Sequence, residues 1–303
     1  MFCTLYTRTP GLIELAEAEL GALTSGHSVE PGVWLSDEPV AWAETGFGKA
    51  AGRQLAFGGD LEALREAMLA RRLASPRIGI TVRRLPRKVR ASQAAKRLVA
   101  DCIDGDVDFG DPTLRLVLVV SALGYRVFEE GEPGDSTWLE TREKPHNLLV
   151  GLPVRVARSM VNLTARPGDS VLDPLCGAGT IPLVAACAGH EAFGSDISWK
   201  IIEQAKANAA HFGQAVTLSR HDARTTRQRA DCLVSNLPYG VRSHLADDGL
   251  RALLDNLKGL APRVTLVTSE HLEDALAVAG FEVTAVVTIS TARFDRFVYV
   301  TRT

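Results

Sequence analysis

The chain has 303 residues, 46% hydrophobic and 23% charged, with 34 Lys and Arg against 36 Asp and Glu and a formal charge of -2. That length is enough for two domains, each burying a core, and the composition is ordinary for a globular protein. The near-neutral balance excludes a uniformly basic nucleic-acid coat while leaving room for a local basic face.

Cys3, Cys102, Cys176, Cys187 and Cys232 are odd in number, far apart and without a C-x-x-C pair, which speaks against a zinc or disulfide framework. The longest apolar stretch, Leu114–Tyr125, is interrupted by Arg115 and too short to span a bilayer. Arg8 and several glutamates come before any long apolar run, so no signal peptide is expected. A cytoplasmic protein without membrane contact is expected.

In chain order, Cys3–Thr7 reads as a strand and Pro10-Gly11 as a turn. A helix follows with Leu12, Leu15, Ala16, Leu20 and Leu23 at its apolar positions. Val33–Leu35 and Val40–Ala43 read as short strands, Leu61–Leu73 as a helix and Arg77–Arg83 as a strand. Ala91–Cys102 reads as a helix, Leu114–Val120 as a buried strand and Tyr125–Glu129 as its continuation. Glu130–Lys144 is rich in Gly, Pro, Asp, Ser and Thr and is the best linker candidate, placing a domain boundary near residue 140.

Beyond it, helices are expected at Leu152–Leu163, Ile181–Ala188, Trp199–Phe212, Leu250–Leu257 and Leu272–Ala279. Strands are expected at Ser170–Leu172, Ala192–Gly194, Ala215–Leu218, Asp231–Val234 and Arg263–Thr268. This alternation predicts a parallel sheet. The last two strands, Val283–Ser290 and Phe297–Thr301, are separated by only six residues and must be antiparallel neighbours. Such an ending is what methyltransferases using S-adenosylmethionine have, unlike dehydrogenases.

Four motifs follow strand ends, where ligands sit in open α/β sheets. In Asp173-Pro174-Leu175-Cys176-Gly177-Ala178-Gly179-Thr180 the glycines permit positive φ and close approach to the backbone, and the helix start offers free amides. There is no third glycine, which counts against a dinucleotide site. Asp196, in Gly194-Ser195-Asp196-Ile197, can accept from both hydroxyls of a ribose or cap the helix that follows. Asp222, before Ala223, can take an adenine amino hydrogen or be a solvated turn residue.

The sharpest motif is Asn236-Leu237-Pro238-Tyr239. An exocyclic amine on a base is a poor nucleophile because its lone pair is delocalised into the ring. The Asn236 side-chain oxygen and the Leu237 carbonyl can accept its hydrogens and return the lone pair to nitrogen. Pro238 stiffens the loop and Tyr239 offers a ring on which an extruded base can stack.

Together these motifs resemble the RNA guanine-N2 methyltransferases that carry an N-terminal THUMP domain. The resemblance covers residues 145–303 strongly. It reaches the N-terminal half more weakly, through Thr9-Pro10-Gly11-Leu12 with Glu17-Ala18-Glu19-Leu20, and through Ser92–Cys102 and Val107–Val120. It implies a Rossmann-like class I methyltransferase domain over 141–303, with a seven-stranded sheet ending in an antiparallel strand. Residues 1–140 would form an α+β, ferredoxin-like and THUMP-like RNA-binding region. It also implies contacts to S-adenosylmethionine at Asp173, Pro174, Cys176, Gly177, Gly179, Thr180, Asp196, Ile197, Asp222, Ala223 and Asn236, with catalysis by Asn236, Leu237, Pro238 and Tyr239.

The N-L-P-Y-G form is similar to the enzymes acting on guanosine 6 of the tRNA acceptor stem; N-L-P-Y alone also resembles adenine-N6 methyltransferases. A non-catalytic RNA-binding protein with a vestigial cofactor site is a third reading, against which the intact Asn236–Tyr239 loop speaks. Structured RNA, most simply tRNA, is the expected partner of a monomer.

Residues Arg71–Arg97 contain ten Lys or Arg and no acid. Arg83, Arg84, Arg87, Lys88, Arg90, Lys96 and Arg97 are candidate phosphate contacts, unless Asp101–Asp111 balances them. Arg242 can reach a phosphate or pair with Asp247 or Asp248. His146-Asn147 occupies the family's entry segment over the cofactor. No metal spacing is present.

Overall fold

The computed structural model describes residues 1–85, 93–148, 151–238, 247–291 and 294–303. The chain opens with β1 (Phe2–Tyr6), α1 (Ile13–Leu23), β2 (Gly26–Glu30), β3 (Val33–Ser36) and β4 (Gly48–Gly58). Next come α2 (Leu61–Leu69), β5 (Ala74–Leu85), α3 (Gln93–Asp101), β6 (Asp104–Val107), β7 (Leu114–Ser121) and β8 (Gly124–Glu130). After a 3₁₀ helix at Thr137–Glu143 follow α4 (Val154–Thr164), β9 (Ser170–Asp173), α5 (Thr180–Cys187), β10 (Glu191–Asp196) and α6 (Trp199–His211). The chain ends with β11 (Val216–Arg220), β12 (Cys232–Asn236), α7 (Asp247–Leu257), β13 (Arg263–Thr268), α8 (Glu273–Ala279), β14 (Glu282–Ser290) and β15 (Asp295–Arg302).

Two compact units result. The first comprises Met1–Tyr6, Thr24–Trp42 and Gly48–Gly134; the second comprises Thr7–Leu23, Ala43–Phe47 and Asp135–Thr303. The expected boundary near 140 thus compares with a division at Gly134/Asp135, and two earlier segments join the second unit.

The first unit holds an eight-stranded sheet of order β2-β3-β1-β4-β8-β7-β5-β6, parallel only where β5 meets β6 and β7. Leu64, Met68, Ala95 and Val99 bury the inner stripes of α2 and α3 against this unit's core. Three of its strands were not legible in the sequence. β4 (GKAAGRQLAFG) has weak strand propensity and exists because β1 and β8 pair on its two sides. A Cβ on Gly52 would stand 1.8 Å from the Glu129 carbonyl oxygen, so the close approach of β8 requires glycine there.

The second unit holds a seven-stranded sheet of order β11-β10-β9-β12-β13-β15-β14. All pairings are parallel except those of β15, which runs antiparallel between β13 and β14. This is the class I methyltransferase fold that the motif order implied. Its core includes Leu172, Leu233, Leu237, Leu254, Leu266 and Tyr299, all at or below 2% exposure.

Two local expectations are corrected. Val40–Ala43 is not a strand; a 3₁₀ turn, Trp42–Glu44, stands at its end. The Trp138 indole donates to the Ala43 carbonyl at 2.8 Å, and Arg158 and Asn162 donate to that of Glu44, so side chains occupy these carbonyls. The linker candidate 130–144 contains the 3₁₀ helix Thr137–Glu143, fixed by the buried Trp138.

Within the second unit, α1 is tied to α4 by Glu19, which is 1% exposed. Its carboxylate accepts from the Gly46 amide at 2.8 Å, the Ser159 hydroxyl at 2.8 Å and the Asn162 amide at 2.6 Å. Burial pushes its carboxyl up, while these hydrogen bonds and the Arg158 charge pull it down. A Cβ on Gly46 would meet the Arg155 carbonyl and the Ser159 hydroxyl, each at 2.4 Å, so the 43–47 segment lies directly on α4. Glu19→Ala leaves these donors buried without an acceptor and is expected to cost about 3 to 5 kcal/mol, read as a lower urea midpoint, with Glu19→Gln milder.

Candidate active site

The site is built at the carboxyl ends of β9, β10 and β12. Asp173, at the end of β9, is 2% exposed; its Oδ1 accepts from the Ser235 hydroxyl at 2.6 Å and the Leu175 amide at 3.0 Å. Burial pushes its carboxyl up to about 7 against the pull of these hydrogen bonds, with the charge of Asp196 adding to the rise. The turn beyond is drawn tight: the Cys176 amide donates to the Ser195 carbonyl and that of Gly179 to the Cys176 carbonyl, each at 2.8 Å. Gly177 (φ +52°) and Gly179 (φ +82°) occupy the left-handed region, and a Cβ on Gly177 would stand 2.9 Å from Leu148 Cδ1. The turn therefore leaves its backbone open to close approach.

Asp196 ends β10. Its Oδ1 accepts from the Ser198 amide at 2.8 Å, leaving Oδ2 unengaged among the described residues. Asn208, fully buried on α6, fastens the entry segment from both sides. Its Oδ1 accepts from the His146 amide, and its Nδ2 donates to the carbonyls of His146 and Ala178, all at 2.9 Å.

Asn236 ends β12. Its Oδ1 is buried without a hydrogen-bond partner among the described residues. An unpaired buried acceptor costs about 1–3 kcal/mol, and a ligand donor would remove that penalty. The Leu237 amide donates to the Val267 carbonyl at 2.9 Å, which fixes the loop where it leaves the sheet.

A cavity of about 1000 Å³ lies within the second unit and brings together Asp173, Cys176, Gly177, Thr180, Asp196, Asn236, Leu237 and Pro238. Its size is at the upper end for a small-molecule site. Pro174, Gly179, Ile197, Asp222 and Ala223 are not among its lining residues. Gly179 caps α5 and Ile197 is 58% exposed. Both oxygens of Asp222 are held by Arg224, at 2.6 to 3.1 Å, and its carboxyl is accordingly pulled down. Tyr239 and Arg242 lie outside the described residues. His146 is a backbone anchor, while Asn147 lines the cavity and donates to the Lys144 carbonyl at 3.0 Å.

Several lining residues were not singled out as site residues: Thr9, Leu12, Phe47, Arg142, Lys144, Arg155, Ser290 and Arg296 among them. Thr9-Pro10-Gly11-Leu12 did stand out as a motif. Gly11 is required there, since a Cβ would meet the Ser290 carbonyl oxygen at 2.0 Å. No group of three potential metal ligands occurs among the described residues.

The candidate phosphate contacts lie in the first unit. Arg83, Arg84 and Arg97 are exposed, and the Lys96 ammonium lies 4.9 Å from the centre of the Phe109 ring. Arg87, Lys88 and Arg90 lie outside the described residues. Part of the basic run is internally occupied: Arg77 pairs with Asp111 at 2.8 Å and Arg71 donates to the Leu55 carbonyl.

Asp173 holds its proton more tightly in the folded protein than in the unfolded chain. Its contribution to stability is fully present below its ordinary value of 3.8 and is lost as pH rises through about 7. Asp173→Asn is therefore expected to remove a slope on the order of 4 kcal/mol between those limits, measured by urea denaturation across the pH range. Parallel profiles for the two proteins would contradict the assignment.

Residues 144–271 match the family described as UPF0020, the RMKL-like methyltransferase domain. The chain is 37% identical over 98 residues to a tRNA (guanine(10)-N2)-dimethyltransferase of Methanothermobacter thermautotrophicus, covering 31% of this chain and 29% of that protein. A protein of the same name from Pyrococcus abyssi is 30% identical over 175 residues, 53% of this chain and 52% of the relative. The chain thus matches between about a third and a half of the length of these relatives. Among solved structures, TrmN from Thermus thermophilus aligns over 99% of both chains with a TM-score of 0.52 at 23% identity, a likeness of fold. Residues 144–271 are thus similar to the RMKL-like methyltransferase domain.

Proposed function

We propose that this protein transfers a methyl group from S-adenosylmethionine to the exocyclic N2 of a guanosine in tRNA. The observation that carries the reading is the buried Oδ1 of Asn236, without a partner among the described residues, in one cavity with Asp173, Asp196 and the open glycine turn. The free Oδ2 of Asp196 suits a ribose hydroxyl, and the turn Gly177–Thr180 suits the amino-acid end of the cofactor. S-adenosylmethionine, when bound, supplies a methyl group on a positively charged sulfur that needs no further activation.

The protein's own part is alignment and electronic preparation of the amine. Asn236 Oδ1 accepts one hydrogen of the target amine and the Leu237 carbonyl the other, which withdraws the lone pair from the ring and restores it to nitrogen. The Leu237–Val267 hydrogen bond and the ring of Pro238 hold these acceptors in place. Burial strengthens both interactions by excluding water.

Guanine as the base is supported by the names of the curated relatives. The N-L-P-Y-G loop supports guanosine 6 of the acceptor stem as the nucleotide, whereas the relatives' names specify position 10. In this reading the N-terminal region is a THUMP-like RNA grip whose exposed Arg83, Arg84 and Arg97, with Lys96, follow the phosphate backbone. The protein works as a monomer in the cytoplasm.

Asn236→Ala is expected to reduce methyl transfer to tRNA by about 10²-fold or more, while affinity for S-adenosylhomocysteine stays within about threefold. Asp196→Ala is expected to do the converse, weakening that affinity by about tenfold. A tritiated-methyl assay with calorimetry reads both, and undiminished turnover by the Asn236 variant would refute the role. Mass spectrometry of digested product RNA identifies the base and its position; N6-methyladenosine would replace guanine as the target.

A further inference from the structure

Four basic side chains line the cavity: Arg142, Lys144, Arg155 and Arg296. Three have partners. Arg142 binds Glu143 at 2.9 Å, Arg155 donates to the Gly46 carbonyl at 2.7 Å, and Arg296 lies over the Phe294 ring at 4.7 Å. Lys144 is only 6% exposed, yet its ammonium has neither a hydrogen bond nor an ion pair among the described residues. Its backbone, by contrast, is engaged: the amide donates to the Thr141 carbonyl and the carbonyl accepts from Asn147. Burial alone pushes the ammonium down, with no neighbouring carboxylate to raise it. The side chain is packed among protein, while the ammonium itself is not fully enclosed and opens on the cavity that the residue lines.

Its place in the cavity indicates which anion belongs there. Two residues further on, His146 is bound from both sides by Asn208, whose remaining hydrogen goes to the Ala178 carbonyl in the glycine turn. Lys144 is thereby fastened to the side of the cavity where β9 passes into α5. The Asp173–Thr180 turn receives the amino-acid end of the cofactor in the function proposed above, on which this inference rests. We propose that Lys144 receives the α-carboxylate of the cofactor, and that its charge separates S-adenosyl ligands from nucleosides without the amino acid.

The test is calorimetry on the full chain with S-adenosylhomocysteine and with 5′-deoxy-5′-methylthioadenosine, which keeps the nucleoside and thioether but has no carboxylate. Lys144→Met is expected to weaken S-adenosylhomocysteine by about tenfold or more and to change the second ligand by less than about twofold. Lys144→Arg should retain most of the affinity. The unliganded Lys144→Met protein should melt no lower than the wild type, because the ammonium holds no partner among the described residues; a purely structural lysine would lower the melting point. Should Lys144→Met fail to fold, Lys144→Gln serves with the same two ligands.

Equal S-adenosylhomocysteine affinity in wild type and variant overturns the assignment. A loss confined to tRNA binding in a filter assay also overturns it, and gives the cation to a phosphate. A wild type that binds neither ligand overturns instead the functional reading beneath it, together with this inference.

Discussion

A hydrogen bond between two neighbouring strand ends sets the geometry of the site. The Ser235 hydroxyl on β12 donates to the Asp173 carboxylate on β9 at 2.6 Å, where the sheet changes direction. From β9 the chain winds outward through β10 and β11, then returns across to β12 and winds the other way through β13. The connections on the two sides diverge at that junction and leave a crevice at the strand ends. Asp173 and Asn236 stand on its two lips, so one polar link registers the acid beside the glycine turn with the strand end that carries Asn236. The link also keeps Asp173 hydrogen-bonded where it is almost wholly buried, and burial still raises its carboxyl into the physiological range.

Around this junction the cavity is closed by segments distant in sequence. Thr9 to Leu12 precede α1, Phe47 follows Gly46, and Ser290 ends β14. Glu19 ties α1 and Gly46 to α4, Asn208 ties the 146 segment to the glycine turn, and the Ser290 amide donates to the Gly11 carbonyl; the first two are fully buried side chains whose polar atoms each find a partner. Satisfied polar networks of this kind specify one arrangement, since any displacement strands donors or acceptors away from water. Among the described residues lining the cavity, Asn236 Oδ1 is buried without a hydrogen-bond partner and the Lys144 ammonium has neither a hydrogen bond nor an ion pair.

The basic run of the first unit divides between two roles. Arg71 and Arg77 serve local structure, one on the Leu55 carbonyl and the other on Asp111, while Arg83, Arg84 and Arg97 face solvent. Counting charges along the chain could not separate them, because ion pairing with Asp108 and Asp111 depends on how β5 and the loop before β7 come together.

The sequence by itself determined the second unit's sheet and which residues stand at its strand ends. Period, turn residues and the short gap between the last two strands are local properties, and they led to seven strands with an antiparallel pair at the end. Asp173, Asp196 and Asn236 were legible because each ends a strand, and Gly177 because it lies in the turn just beyond one; a parallel sheet brings all such ends to one edge. Tertiary structure alone decided β4, which two flanking strands hold together against its own propensity, and the 3₁₀ turn whose carbonyls Trp138, Arg158 and Asn162 take. It alone placed the α1 segment and residues 43–47 in the second unit, through a glutamate whose partners lie 27 to 143 positions away. It also engaged Asp222 with Arg224 and left Lys144 without a counter-charge among the described residues, because pairing and burial are properties of the folded neighbourhood and leave no periodic trace in the chain.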